Sequence, residues 1–278
     1  MSKFVHLHVH SHYSLLEALP KTKGLVAAAK EHEMSAIALT DNGNLYGVID
    51  MYKKAKEAGL KYIIGMDAYI APNGRHQKRA RIDSKSSRLV LLAENMTGYQ
   101  NLVKLSSLGF IEGFYYKPRI DRELLSEFCK GKDHGLIALS GGHFSEIDQA
   151  LAIDNKEKAT DLIKEYSEIF GKDNFFLELV DRPEIPDQDA VNAQLIELGK
   201  ELDVPVVATK NTFFLRPDEA EAWKVLQCVK GGKTLEQYER SQQFEYDASF
   251  VSGEYMESVL PIFQRRLKIQ QRSLRDVT

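Results

Sequence analysis

The sequence predicts an α/β protein whose parallel sheet closes into a barrel. Seven short runs rich in Val, Ile and Leu alternate with amphipathic stretches, and this order is typical of repeated strand–helix units. Right-handed crossovers between such units produce either an open doubly wound sheet or a closed barrel. No glycine-rich phosphate-binding fingerprint follows the first run, so we favour the barrel.

The first predicted strand, FVHLHVH at 4–10, alternates strictly and predicts Val5, Leu7 and Val9 on one face, with the histidines on the other. The later predicted strands are residues 36–40, 61–70, 88–93, 136–140, 175–179 and 205–209. The predicted helices are residues 21–33, 45–58, 97–108, 121–130, 144–170 and 187–202.

Composition narrows the functional classes. The 278 residues are 43% hydrophobic and 28% charged, with no apolar run long enough for a membrane span and no secretory apolar region after Met1. The net charge of −3 gives no general reason to expect nucleic-acid binding. Two cysteines, Cys129 and Cys228, are too few for a disulfide framework or a cysteine-rich zinc site. We therefore expect a single cytoplasmic barrel without a membrane partner.

Polar side chains follow the ends of the predicted strands, where α/β proteins place their sites. Two imidazoles at positions i and i+2 of a strand lie about 7 Å apart on one face and can share a metal. The alternatives are a polar edge-strand face or a tag remnant, and the alternation argues against a tag. Asp41 is expected either to cap its turn or to bind metal. The positions selected in this way are His8, His10, Asp41, Asn42, Asp67, Gly142, His143, Asp181 and Asn211.

A basic segment at 75–88 contains six cationic residues and one acid, a net charge of +5 by subtraction. It is either a nucleic-acid phosphate contact or a solvated hairpin. The residues proposed to contact nucleic acid are Arg75, Lys78, Arg79 and Arg81. GFYYKPRID at 113–121 is either a stacking and anion-binding surface or a packed loop anchored by Pro118. No motif for nucleophilic catalysis is present.

Seven motifs in order make the chain resemble one family: FVHLHVHSHYSLLEA, ALTDNGNLYG, IIGMDAYI, NLVKLSS, GFYYKPRID, LIALSGG and VPVVAT. The chain resembles the amino-terminal PHP domain of the bacterial DNA polymerase III alpha subunit over residues 3 to 260. The resemblance implies a distorted seven-stranded β/α barrel of the PHP fold. The resemblance further implies that, in members with an intact site, up to three divalent metals support phosphoester hydrolysis, including 3′–5′ exonuclease activity. In other members the domain is structural or docks a separate proofreading exonuclease.

Comparison with the family's ligand pattern indicates a degenerate site. His8 and His10 match the paired histidine ligands, while Glu17 and Asp67 stand at the family's Asp and Glu positions. Five further ligand positions carry other residues, namely Asn42, Arg88, Gly142, Asn211 and Phe213, although His143 adjoins Gly142 as a potential substitute. We expect no trinuclear centre, and at most one zinc, manganese or magnesium ion on the histidines and one carboxylate. Arg88 must then point away, or the metal must be absent, because a guanidinium about 4 Å from a divalent ion costs roughly 8 kcal/mol at an effective dielectric of 20.

The resemblance favours a replicative-polymerase domain that acts as a scaffold and docking module. Its implied partners are the remainder of the alpha subunit, a proofreading exonuclease subunit and, through the holoenzyme, DNA. The alternative is a working metal-dependent phosphoesterase or 3′–5′ proofreading exonuclease. A free-standing histidinol-phosphatase-like enzyme fits the GFYYKPRID loop less well. Whether this chain is itself an enzyme stays open, and nucleotidyl transfer is expected to need palm carboxylates beyond Thr278.

The predicted domain boundary falls near the carboxyl end of the sequence. Residues 1–260 are assigned to the PHP domain, and 251–261 resemble the family's hinge toward the thumb and palm. Residues 261–278 do not resemble the family's continuation into the polymerase region. We hypothesise that this tail marks a lost or frameshifted start of the polymerase region, which the nucleotide sequence would test.

Overall fold

The computed structural model describes residues 4–131, 133–241 and 247–259 of the chain. The strands are β1 Ala36–Asn42, β2 Lys61–Ile70, β3 Ser87–Ala93, β4 Arg119–Ile120, β5 Leu136–Leu139, β6 Phe175–Val180 and β7 Val206–Thr209. The helices are α1 Thr22–Glu31, α2 Val48–Glu57, α3 Met96–Ile111, α4 Arg122–Phe128, α5 Glu146–Ala152, α6 Lys156–Phe170, α7 Gln188–Glu201, α8 Ala220–Gly231, α9 Leu235–Ser241 and α10 Gly253–Val259. Short 3₁₀ helices lie at Gly142–Phe144 and Pro217–Glu219.

The strands form one curled, seven-stranded sheet in the order β1-β2-β3-β5-β6-β7, with β4 beside β2. This arrangement confirms the α/β class and the distorted barrel. The expectation of a uniformly parallel sheet is wrong, because β3 runs antiparallel to both β2 and β5. The connection from β2 to β3, residues 71–86, contains no helix, whereas a parallel neighbour needs a crossover connection.

The amino-terminal segment 4–10 lies beside the sheet as an extended chain and makes only an isolated bridge. On one side the Thr40 N–H donates to the Val9 carbonyl at 2.8 Å, which joins the segment to β1. On the other side the Thr212 N–H donates to the His8 carbonyl at 3.1 Å. Because Thr212 follows β7, the segment connects the two edges of the curled sheet and completes the barrel.

The predicted alternation of this segment holds only in part. Val5 and Leu7 belong to one apolar cluster together with side chains from β1, β2, β3, β5 and β7. This cluster is the interior of the barrel. Val9 instead packs with Leu25 of α1 in a different cluster. The chain bends at His8, and the bend shifts the faces of the later residues, so the prediction that all three apolar residues share a face is wrong.

Helices α3 to α7 cover the outer face of the sheet and bury the largest apolar cluster. The single helix predicted for 144–170 is two helices, α5 and α6. Asp154 adopts a left-handed φ of 57°, and the Asn155 side chain accepts a hydrogen bond from the Lys158 N–H at the start of α6. An Asn cap of this kind begins a helix because it satisfies a backbone donor that has no partner within the helix.

Three further features concern the carboxyl-terminal tail, membrane-spanning helices and the two cysteines. The predicted tail at 261–278 lies outside the described residues. Within the described part of the chain, no helix is long and apolar enough to cross a membrane. Cys129 and Cys228 are both buried free thiols.

Candidate metal centre

The bend at His8 brings two imidazoles to one carboxylate of β2. The Asp67 Oδ2 atom lies 3.4 Å from His8 Nε2 and 3.3 Å from His10 Nε2. All three side chains are buried, and their ligand atoms lie within 4.8 Å of one another. Ligand atoms about 3.3 Å apart fit a tetrahedral ion with bonds of about 2.0–2.1 Å. The sequence-based pairing of the two histidines with Asp67 is therefore present in the structure.

The opposite ring nitrogens of both histidines are held by other acceptors. His8 Nδ1 lies 2.7 Å from Glu178 Oε1, and His10 Nδ1 lies 3.2 Å from the Thr212 carbonyl oxygen. Such partners fix the orientation of an imidazole so that Nε2 faces a metal. His8 Nε2 and Asp67 Oδ1 are buried without hydrogen bonds, so the cluster retains unsatisfied ligand atoms.

Protonation of the two imidazoles differs. Burial lowers the pKa of His10 and keeps it neutral, so its single proton can serve only one of its two oxygen neighbours. Burial also lowers the pKa of His8, but the charge of Glu178 and the contact with Asp67 outweigh it and raise that pKa to about 9. A proton on His8 therefore competes with any metal for this nitrogen.

Arg88 occupies the space beside this cluster. Its Nη1 donates to Asp67 Oδ2 at 3.0 Å and to Asn42 Oδ1 at 2.6 Å, and its Nη2 donates to Glu17 Oε2 at 3.3 Å. The guanidinium carbon also lies 3.9 Å from the ring centre of Tyr69, its cross-strand neighbour. Of the two alternatives for Arg88, a side chain that points away is wrong, because the guanidinium points inward and binds the carboxylates.

Glu17 is surrounded by cations rather than directed at the histidines. Its Oε1 lies 2.8 Å from Lys117 Nζ and 3.1 Å from Lys230 Nζ. Burial alone would raise the pKa of Glu17, but Arg88 and the two lysines lower it to about 2. Glu17 thus stays ionised as the counter-ion of the cationic side chains, and it is absent from the His8, His10 and Asp67 group.

The remaining degenerate positions have other structural roles. The Asn42 amide nitrogen donates to Glu17 Oε2 at 2.6 Å, and the Phe213 ring stacks on His10 with a centroid distance of 4.3 Å and an angle of 7°. A Cβ on Gly142, whose φ is +60°, would lie 2.4 Å from the Val180 side chain. Asn211 keeps a buried Oδ1 without a hydrogen bond.

Asp41 joins β1 to the segment 11–14 rather than capping its own turn, since its oxygens accept three hydrogen bonds from Ser11 and Ser14 at 2.7–2.8 Å. Asp181 forms a buried ion pair with Lys210 at 2.8 Å. Within the described chain, His143 does not belong to the group that can hold a metal. The substitution of His143 for a lost ligand is therefore not supported.

Two residues of the site were missed by the sequence reasoning. Glu178 is fully buried, and besides His8 it accepts hydrogen bonds from Thr209 and the Gly141 N–H. A lone glutamate inside the apolar strand FFLEL is the indication that identifies it, because buried carboxylates are rare without partners. Lys230 lies on α8, a helix absent from the predictions, and nothing in its sequence context points to Glu17.

Arg88, Lys230 and their counter-ion Glu17 line a cavity of about 510 Å³. Its lining includes Arg88, Lys230, Phe213 and Trp223, so it combines positive charge with aromatic surface. The Trp223 indole N–H donates to the Glu17 carbonyl at 2.7 Å, which joins α8 to the turn that carries Glu17.

The basic segment is partly neutralised by its own neighbours. Arg75 donates to Glu112 at 2.6 Å and to Asp121 at 3.1 Å, and Arg79 forms a two-pronged pair with Asp83 at 2.8 and 3.0 Å. Lys78 and Arg81 are exposed.

An α/β barrel with paired histidines and an aspartate near one strand end defines a class of metal-site domains. The sequence model of the PHP domain family matches residues 6–182, and the chain belongs to this family.

Relatives refine the comparison. The chain is 41% identical over 232 residues to the DNA polymerase III subunit alpha of Borreliella burgdorferi, covering 83% of this chain and 20% of that protein. It is also 41% identical over 264 residues to that of Thermus aquaticus, covering 93% of this chain and 21% of that protein. The chain thus spans about a fifth of the length of these curated relatives.

A solved structure from Bifidobacterium adolescentis, described as a metal-dependent phosphoesterase, matches with a TM-score of 0.48 and 10% identity over 92% of this chain and 95% of that chain. The family assignment is based on the sequence matches.

Proposed function

We propose that this domain serves DNA replication as a structural and partner-docking part of a DNA polymerase III alpha subunit in the cytoplasm. The sequence support is its identity of 41% with the PHP region of such subunits. The observation that carries the structural role is the position of Arg88, whose guanidinium joins Asp67 and Glu17 in the site. Its partners in this proposal are the remainder of the alpha subunit, a proofreading exonuclease subunit and, through the holoenzyme, DNA.

The charges explain why Arg88 favours a scaffold over a multinuclear centre. Asp67 and Glu17 contribute two negative charges to this part of the site, and Arg88 neutralises one while Lys117 and Lys230 approach Glu17. Burial of a carboxylate is tolerated when a cation and hydrogen bonds compensate it. The cationic side chains therefore supply the positive charge that metal ions would supply in a hydrolytic site.

The alternative function, a metal-dependent phosphoesterase or 3′–5′ proofreading exonuclease, is supported by one specific observation. His8, His10 and Asp67 bring their ligand atoms close together, and one of these atoms, His8 Nε2, is buried without a hydrogen bond. These three residues would hold one divalent ion, which would polarise a phosphoester and lower the pKa of a bound water. Glu178 and the Thr212 carbonyl would keep the imidazoles oriented for that ion.

Metal content and nuclease activity of the purified chain test the two functions together. The chain is saturated with zinc or manganese, freed of excess metal, and assayed on 3′-labelled single-stranded DNA. We expect at most one bound ion per chain and no sustained 3′–5′ degradation. Robust turnover that is lost in the double variant His8→Ala, His10→Ala, and kept in the control His143→Ala, would show that the enzyme function is correct.

A further inference from the structure

Three exposed aromatic rings lie next to one another on the surface. Tyr46 precedes α2, Phe110 lies in α3, and Phe114 lies in the loop that follows α3. The rings of Tyr46 and Phe110 lie 6.1 Å apart, and those of Phe110 and Phe114 lie 6.3 Å apart at 17°. Phe114 is 48% exposed and Tyr116, at the loop tip, is 71% exposed. We call the contacting rings of Tyr46, Phe110 and Phe114 the aromatic row, and the exposed ring of Tyr116 in the same loop lies 4.6 Å from that of Tyr115. Adjacent solvent-exposed rings are unusual on a protein surface unless they bind something.

The basic loop, residues 75–85, presents cations beside the loop that carries Phe114 and Tyr116. Lys78, Arg81 and Lys85 are exposed. Arg79 pairs with Asp83 yet keeps 53% of its side chain exposed. The outward charge of the loop is therefore strongly positive, in a chain whose net charge is −3.

A buried arginine fixes the two loops to each other. The Arg119 side chain is fully buried and donates to the Gly113 carbonyl at 3.0 Å on the aromatic side. On the basic side it donates to the carbonyls of Asp83, Arg75 and Gln77 at 2.7, 3.1 and 2.9 Å. One guanidinium thus holds both loops in a fixed relation, so that rings and cations form one preorganised surface.

We propose that the aromatic row and the basic loop together bind single-stranded nucleic acid. Bases stack on exposed rings without regard to sequence, while neighbouring Lys and Arg side chains contact the phosphates. A protein partner would also cover the rings, but it would not account for the cations fixed beside them. The proposal extends the replication role above, and it does not depend on metal binding at His8 and His10.

Salt-dependent binding of the full chain to a labelled oligothymidylate of about 12 nucleotides tests the proposal. Fluorescence anisotropy over a salt series gives the affinity and its slope. The double variant Lys78→Gln, Arg81→Gln should weaken binding and reduce the slope of log K against log salt by about 1.4, since each phosphate contact on a single strand contributes about 0.7. The control Lys158→Gln, Lys164→Gln removes two exposed charges of α6 and should leave the slope unchanged.

The aromatic half is tested by the double variant Phe114→Ser, Tyr116→Asn. Asn tolerates the left-handed φ of 61° at position 116, so the loop should keep its form. We expect at least a fivefold loss of affinity for the single strand, with the salt slope retained.

Three results would overturn the proposal: no binding at low salt, equal affinity for duplex of the same length, or unchanged affinity in the aromatic variant. The last result would leave the row as a protein-binding face. Each of them would leave the docking role intact, because that role requires no contact between this domain and DNA.

Discussion

Replacement of Arg88 by Met separates the stabilising role of this residue from its effect on metal binding. Methionine keeps the length of the side chain and removes the charge. The Arg88 side chain is 13% exposed, and its partners Asp67 and Glu17 are 3% and 8% exposed. Loss of one partner from a buried ion pair costs about 3–5 kcal/mol of unfolding free energy. We expect about 3 kcal/mol, because Lys117 and Lys230 still compensate Glu17.

The same change should increase the affinity for a divalent ion. A guanidinium about 4 Å from a divalent ion costs up to roughly 8 kcal/mol at an effective dielectric of 20. Relief of even a third of that repulsion, about 2.7 kcal/mol, corresponds to a hundredfold gain in affinity. The ligand atoms available to the ion are His8 Nε2, which is buried without a hydrogen bond, and Asp67 Oδ2, which loses its hydrogen bond from Arg88 in the variant.

Thermal and urea unfolding, with and without zinc or manganese, measure both effects. The metal-free Arg88→Met variant should unfold more easily than the unmodified chain, and added metal should restore its stability. An ion present at about a hundred times its dissociation constant adds about 2.7 kcal/mol. Arg122→Met is a matched control, since Arg122 pairs with Glu146 and Glu165 away from the site. If Arg88→Met binds metal no better than this control, the electrostatic argument is wrong.

Three further predictions concern neighbouring buried groups. Burial raises the pKa of Asp148 from 3.8 to about 7, so the folded chain holds an extra proton and its stability falls as pH rises from about 4 to 7. Asp148→Asn should remove this slope in urea titrations and add up to about 4 kcal/mol at pH 7. Gly142→Ala should cost about 1–3 kcal/mol in unfolding free energy, because its φ is +60° and its Cβ would meet Val180. In Glu178→Gln the pKa of His8, about 9 in the unmodified chain, should fall clearly in an NMR titration, and an unchanged value would show that this carboxylate does not raise it.

Local patterns are sufficient for most of the elements. Continuous apolar runs correspond to β1, β2, β3 and β5 because each strand is covered on both faces. The predicted direction of β3 was wrong. The direction of a strand depends on how the preceding connection, here residues 71–86, crosses the sheet, and local residue preferences do not determine that. The break between α5 and α6 was missed although Asn155 is a common capping residue.

In the site, too, some contacts were predicted from the sequence and others were not. The pairing of His8, His10 and Asp67 was predicted because strand ends meet at one edge of an α/β sheet. Glu178 and Lys230 were not predicted, since each lies more than a hundred residues from its partner in the sequence. Arg119 was not predicted either, because its role in joining two loops is visible only from its four carbonyl partners.

The α/β class, the family resemblance and the loss of ligand types at positions such as Phe213 follow from the amino-acid sequence alone. These depend on residue identity and short-range order, which a single sequence contains. The side chains that replace the lost ligands are visible only in the folded chain. Arg88 points inward because Asp67, Glu17 and the Tyr69 ring surround it, and the free energy of burying a charge depends on such neighbours in space.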